Sequence, residues 1–246
     1  MDTRPVLLIR GSGNDRDAAA LALLSIPTVS ESFTEITAGE KVVADHLLEL
    51  LEKIEGWVIL TSRNGLDYWN KLISPISLEQ AFARNSKLKF AAIGAGTAEA
   101  LKSFGVTEVL IPWKQSSEGL LELLSTYPSS TAIMPVGNLA RNILPNGLRS
   151  RGWDVNTGVL YVNSPVKVTP AAVKGIEKGE FSLAIVRSPS AARAFAHYLP
   201  TATIRLVCGD SSTAETAREL ALNVVCFAED PGPESIANLV ARTLEE

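Results

Sequence analysis

The sequence predicts an α/β protein: two similar doubly wound, five-stranded parallel-sheet domains joined by a two-stranded β linker. Three observations carry this. Short apolar runs alternate with helix-spaced segments along the chain, the pattern of a parallel sheet covered on both faces. A strand–turn–helix stretch occurs twice, as Phe90–Phe104 (FAAIGAGTAEALKSF) and Leu206–Leu222 (LVCGDSSTAETARELAL), with Thr-Ala-Glu after a small-residue turn in both. The strands around the two copies follow in different order, so one copy of the repeat is interrupted by the other.

In chain order, Pro5–Arg10 reads as a buried strand and Gly11–Asn14 as its turn. Asp15–Leu24 is alanine-rich with helical spacing. Thr28–Ile36 alternates hydroxyl, acidic and apolar residues, as an extended segment leaving a domain does. Lys41–Ile54 is an amphipathic helix. Trp57–Thr61 is a strand that turns at Ser62-Arg63-Asn64-Gly65 into a helix bearing Leu66, Tyr68 and Trp69. Ser74–Ser86 is loop with a short helix, Leu88–Ile93 a strand before the first motif copy, and Val106–Ile111 a further strand ended by Pro112. Ser116–Gly119 caps a helix over Leu120–Leu124. Thr131–Pro135 is a strand, Gly137–Arg141 its turn, Asn142–Arg151 a helix, and Trp153–Asn163 is extended.

The programme then repeats. Leu183–Val186 is a strand, Arg187–Ser190 its turn and Ala191–Tyr198 its helix. Ile204–Cys208 leads into the second motif copy, Asn223–Phe227 is a strand, and Gly232–Ser235 caps a last helix over Ile236–Leu244. The strand at Val6–Arg10 finds its counterpart at Thr131–Val136, late in the other copy. The simplest accounting is a continuous domain over 37–159 and a discontinuous one over 1–36 plus 165–246. The linkers fall near 33–37 and 159–164, and they can pair side by side as hinge and strap.

Composition narrows the function. The formal charge of −4 argues against general nucleic-acid binding, and no apolar run is long enough to span a bilayer. The start, MDTRPVLLIR, lacks the apolar core of a secretory signal, so a cytoplasmic chain is expected. Cys208 and Cys226 lack metal spacing and are expected as buried reduced thiols. His46 and His197 sit in helical stretches, where surface or packing roles are expected.

The motifs, in joint order and spacing, resemble the uroporphyrinogen-III synthase family over essentially the whole chain. The carriers are the early strand with Arg10, WVILTSRNGL (Trp57–Leu66), AAIGAGTAEAL (Ala91–Leu101), GNLARNILPNGLRSRGWDV (Gly137–Val155), Tyr161 in VLYVNSP, RSPSAARAF (Arg187–Phe195), CGDSSTAETAREL (Cys208–Leu220) and PGPESIANLV (Pro231–Val240). The resemblance implies two α/β domains with the active site in the cleft between them. It also implies closure of the linear tetrapyrrole hydroxymethylbilane to uroporphyrinogen III with inversion of ring D. It implies no metal and no organic cofactor; accordingly the chain shows no HExxH, CxxC, P-loop or GxGxxG pattern.

Such a substrate is held by its carboxylates, through cations or backbone N–H groups at helix starts. Small-residue turns after strands supply those starts, at the edge where open α/β sheets bind ligands. The residues expected to surround the tetrapyrrole are Arg10, Ser62, Arg63, Gly94, Thr97, Gly137, Asn138, Ser188, Ser190, Ser212 and Thr213. Each can instead be a plain cap or turn residue, worth roughly 1 kcal/mol of helix stability. Arg141 can reach a carboxylate or pair locally. The resemblance places a functional tyrosine at Tyr161, where a phenol can give the leaving hydroxyl its proton; a tyrosine packing its ring at the hinge is the alternative. Asn163 stands where the family often has Thr, Arg187 where Thr or Ser is usual, and the turn at Gly209–Thr213 is one residue longer than the common form.

No nucleic-acid or membrane partner is expected, and a monomer suffices because the split topology builds the cleft within one chain. A transient contact with hydroxymethylbilane synthase stays open. The competing reading is a two-lobed, non-enzymatic binding protein for an acidic small molecule.

Overall fold

A computed structural model describes residues 3–9, 14–230 and 232–245. Its elements are β1 (Val6–Ile9), α1 (Asn14–Leu23), β2 (Thr28–Glu31), β3 (Thr34–Ala38), α2 (Lys41–Lys53), β4 (Gly56–Leu60), α3 (Arg63–Leu72), α4 (Leu78–Arg84), β5 (Lys89–Ala92), α5 (Ala95–Lys102), α6 (Ser117–Leu124), β6 (Thr131–Gly137), α7 (Ile143–Arg149), β7 (Asp154–Pro165), α8 (Ala171–Glu177), β8 (Ala184–Val186), α9 (Pro189–Tyr198), β9 (Leu206–Cys208), α10 (Ser211–Glu219), β10 (Val224–Phe227) and α11 (Pro233–Glu245). The chain divides into two units, Met1–Glu35 with Ser164–Glu246, and Ile36–Asn163. It leaves the first unit within β3 and returns within β7.

The first unit holds a sheet in the order β10-β9-β8-β1-β2, with every adjacent pair parallel. Successive residues of a strand face opposite sides, and β1 shows it. Leu7 and Ile9 enter a core with Phe195, Ala214 and Ala217 of α9 and α10. Val6 and Leu8 enter another with Leu21 of α1 and Ile236 and Val240 of α11. Phe33 is buried and stacks on Phe195 at 5.8 Å between centroids.

The second unit repeats this plan. Its sheet runs β3-β7-β6-β4-β5, and the β4–β5, β4–β6 and β6–β7 pairs are parallel. Val58 and Leu60 pack with Leu47, Leu66 and Trp69 on one face. Trp57 and Ile59 pack with Leu120, Leu144 and Leu148 on the other. Thus β6 stands beside β4 as β1 stands beside β8, the equivalence that the repeat phase predicts. The linker strands β3 and β7 are neighbours, and Gly39 N donates to Leu160 O at 2.8 Å.

The structure corrects three local expectations and adds a helix that the sequence reading did not place. Val106–Ile111 is not a strand: it touches β5 through a single parallel bridge at Leu110, which accepts from Ala92 N and donates to Phe90 O, both at 2.9 Å. Gly105, at φ +80°, turns the chain before it, and Pro112 removes the next donor. The fifth strand of this sheet is β3 instead. Thr28–Glu31 is not only a departing segment, since β2 pairs in register with β1. A seven-residue helix, α8, follows the second crossing; its first N–H groups, of Ala171 and Ala172, are capped by the Glu31 carboxylate at 2.7 and 2.6 Å. Finally, Cys226 is only half-buried, whereas Cys208 is fully buried.

Candidate active site

In each sheet, two adjacent parallel strands send the chain to opposite faces. After β8 the chain enters α9, on the face containing Phe195; after β1 it enters α1, on the face containing Leu21. After β4 it enters α3, with Leu66 and Trp69; after β6 it enters α7, with Leu144 and Leu148. Divergence of this kind marks the carboxyl edge of the strands as the place where ligands bind in open α/β sheets. Among the described residues, Tyr161 lies within β7, and the other site residues expected from the sequence lie on strand ends, turns and helix starts along this edge, within their respective units. Arg10 alone falls outside the described residues.

In the second unit, Ser62 and Arg63 follow β4, Gly94 and Thr97 follow β5, and Gly137 and Asn138 follow β6. Ser62 caps α3, its hydroxyl accepting from Asn64 N at 3.2 Å. The Arg63 side chain is exposed and pairs with Asp67, Nε to Oδ2 3.5 Å. Gly94 is the cap position of α5, but the first N–H there is already taken: Ala95 N donates to Gln115 Oε1 at 3.1 Å. Thr97 is buried in the α5 turn.

Tyr161 stands opposite Gly137 in the β6–β7 register. The absence of a side chain at Gly137 is what admits the phenol ring. The other side of the site is Tyr68, stacked on Tyr161 at 5.9 Å between centroids and 27° between planes. Tyr68 is itself anchored, donating to Ile36 O at 2.8 Å. Asn138 fixes the next step of β7: its Nδ2 donates to Asn163 O at 3.1 Å, and its Oδ1 accepts from Asn163 N at 2.8 Å. The Asn163 side-chain Oδ1 is buried without a hydrogen-bond partner among the described residues. Tyr161, Tyr68, Gly137, Asn138 and Asn163 are therefore one constellation.

In the first unit, Ser188 caps α9, accepting from Ala191 N at 3.2 Å, and its Oγ lies 3.1 Å from that of Ser190. Ser212 is exposed on the first turn of α10, whereas Thr213 is fully buried, its Oγ1 without a hydrogen-bond partner among the described residues. A carboxylate, not a hydroxyl, caps α10: Asp210 Oδ1 accepts from Thr213 N at 2.7 Å. The two motif copies thus differ in what already occupies the helix start, an amide oxygen in one and an anion in the other.

Three participants are invisible to motif reading. Gln115 reaches α5 from twenty residues downstream. Tyr68 looks like one more residue of a helix face. Asp17, in the first turn of α1, is buried and meets Arg187 just after β8, Nε to Oδ2 3.5 Å, joining α1 to the end of that strand. Among the described residues no group of His, Cys, Asp and Glu can hold a metal ion, and no helix is long and apolar enough to cross a membrane.

The family model for uroporphyrinogen-III synthase HemD matches residues 15–238. A porphyrin biosynthesis protein HemD from Ruminiclostridium josui is 25% identical over 178 residues, which are 69% of this chain and 34% of that protein. The chain therefore spans about a third of the length of that curated relative. A mutant uroporphyrinogen III synthase from Thermus thermophilus shares the fold at TM-score 0.66 and 16% identity, over 98% of this chain and 99% of that one. The uroporphyrinogen-III synthetase of Helicobacter pylori does so at TM-score 0.66 and 15% identity, over 98% and 99%.

Proposed function

The chain belongs to the uroporphyrinogen-III synthase family, and we propose that it closes hydroxymethylbilane to uroporphyrinogen III, inverting ring D and releasing water, in heme or siroheme biosynthesis. The observation that carries this reading is the seat of Tyr161. A phenol held between Tyr68 and the bare backbone of Gly137, at the carboxyl edge, is a fixed proton donor with an apolar wall.

Tyr161 gives its proton to the hydroxymethyl group of ring A, which leaves as water, and the substrate becomes an azafulvene cation. The substituted α-carbon of ring D attacks that cation to form a spiro intermediate. Fragmentation and re-closure invert the ring, and the proton lost on rearomatisation returns to the phenolate. The substrate generates its own electrophile, so the protein's task is to fold it and to suppress the uninverted closure. Ser62, Arg63, Gly94, Thr97, Gly137 and Asn138 in one unit, and Arg10, Ser188, Ser190, Ser212 and Thr213 in the other, are the proposed contacts or supports of the substrate arms. The proposed location is cytoplasmic and the proposed working form a monomer.

The test is to supply hydroxymethylbilane from its synthase, oxidise the products and resolve the isomers. The type III isomer, formed faster than the spontaneous type I, is expected. Type I alone, at the rate of the control without protein, overturns the assignment in favour of a binding protein for an acidic small molecule.

A further inference from the structure

Trp113 is the one tryptophan in the chain that the fold leaves in water. Trp57, Trp69 and Trp153 are 2, 0 and 4% exposed, whereas Trp113 is 103% exposed. It is carried on a short segment held at both ends. Leu110 is bridged to β5, and Pro112 is buried. On the other side, the Gln115 side chain is bonded to Ala95 N, Ser116 N donates to Lys114 O at 2.7 Å, and Ser116 Oγ caps α6 through Gly119 N. An indole presented this way has given up its backbone freedom without gaining burial, the arrangement of a preorganised contact.

Its surroundings hold two cations, Lys114 and Arg141, and one carboxylate, Glu118. The Glu118 carboxyl sits below the usual carboxylate range because of its own backbone N–H, then the Ser116 hydroxyl, with Arg141 and Lys114 close enough to add to the effect. Arg141 belongs to the turn after β6. α6 and α7 pack directly, and a Cβ added at Gly147 would meet Leu121 Cδ2 at 2.3 Å. The segments leading into these helices therefore share the carboxyl edge on which the Tyr161 constellation lies. Leu139 and Ile143, exposed on the second segment, extend the apolar surface beside the two cations.

We propose that Trp113 is a substrate contact of this site: its indole takes the face of a pyrrole ring while Lys114 and Arg141 meet carboxylates of the arms. The inference rests on the reading of the chain as a synthase acting on a linear tetrapyrrole. It deepens that reading by assigning an aromatic platform to one wall. A flat ring bearing anionic arms matches an exposed indole in shape, and the adjacent Lys114 matches the arms in charge.

The test compares wild type, Trp113→Ala and Trp113→Phe in steady-state formation of uroporphyrinogen III from hydroxymethylbilane. Trp113→Ala is expected to raise KM roughly tenfold with kcat changed by less than about twofold, and Trp113→Phe to recover most of the loss. Thermal melting should be the same for all three, because Trp113 is not part of the core. An active wild type with an unchanged KM in Trp113→Ala overturns the platform and leaves the synthase reading standing. A wild type that makes only the type I isomer overturns the synthase reading itself, and the platform with it.

Discussion

The phenol ring of Tyr161 occupies the space a side chain would fill at Gly137. A Cβ built at Gly137 falls 2.5 Å from Cε2 and Cζ of the ring and 2.8 Å from its hydroxyl oxygen. The two residues face each other across β6 and β7, so the register of two strands sets the position of one hydroxyl.

Tyr161→Phe keeps the ring, its stack on Tyr68 and its seat on Gly137, and removes only the hydroxyl. A fall in kcat of roughly 100-fold at little changed KM and unchanged melting temperature is expected. Unchanged turnover removes Tyr161 as the donor.

Gly137→Ala should act through Tyr161. The new methyl forces the ring from its seat, with a loss of about 1–3 kcal/mol in urea unfolding and a drop in turnover. Wild-type stability together with wild-type kcat would mean that the hydroxyl position does not matter to the chemistry.

Asp17→Ala should destabilise the first unit. It removes the buried carboxylate that the Arg187 side chain, 12% exposed, meets at 3.5 Å. Removing one member of a buried ion pair is expected to cost roughly 1–3 kcal/mol, depending on how the rest of the site holds the other. Chemical denaturation measures it, and a loss below about 0.5 kcal/mol would show that the Asp17–Arg187 pair contributes little to the first unit.

Asp210→Asn tests whether the start of α10 meets a substrate anion. Asn caps as well as Asp does, so stability should fall by no more than about 1 kcal/mol as the negative charge leaves the helix N-terminus. KM should fall if Ser212 and the neighbouring N–H groups face a carboxylate. An unchanged KM assigns that turn to capping alone.

Cys208 ties stability to alkaline pH. Burial pushes its thiol from the ordinary 9.0 to about 12, opposed by Arg218 and helped by Asp210 and Cys226. The folded state therefore favours the protonated thiol. That contribution is complete below pH 9.0 and is lost as pH rises from there toward about 12. Cys208→Ala should show a shallower decline in melting temperature across that window. Parallel profiles for the two proteins would contradict this.

What was legible in the sequence was what neighbouring residues decide together. Val6–Ile9, Trp57–Leu60 and Thr131–Gly137 are apolar runs bounded by turn residues, and strands form there; Ser62, Ser116 and Ser188 are caps where caps were expected. What stayed hidden depends on partners far along the chain. The start of α8 is stabilised by Glu31, so no local hydroxyl marks it. The run at Val106–Ile111 has strand composition but is bridged to the sheet at Leu110 alone. In the candidate site, the turns were readable because Gly, Ser and Thr mark them. Gln115 at α5, Tyr68 against Tyr161 and Asp17 beside Arg187 are meetings of ordinary residues that only the folded chain arranges.

The placement of β1 between β8 and β2 also sets a timetable for synthesis. Leu7 pairs with Ala184, and Ile9 with Val186, so a fully apolar strand made early has no lasting partner on one side until the ribosome has passed β8. The unit over Ile36–Asn163 is complete by then and can fold as nascent chain emerges. The first unit closes late, through contacts of high sequence separation, which makes it the slow step. Until then Val6–Ile9 is the segment most in need of a chaperone's shelter.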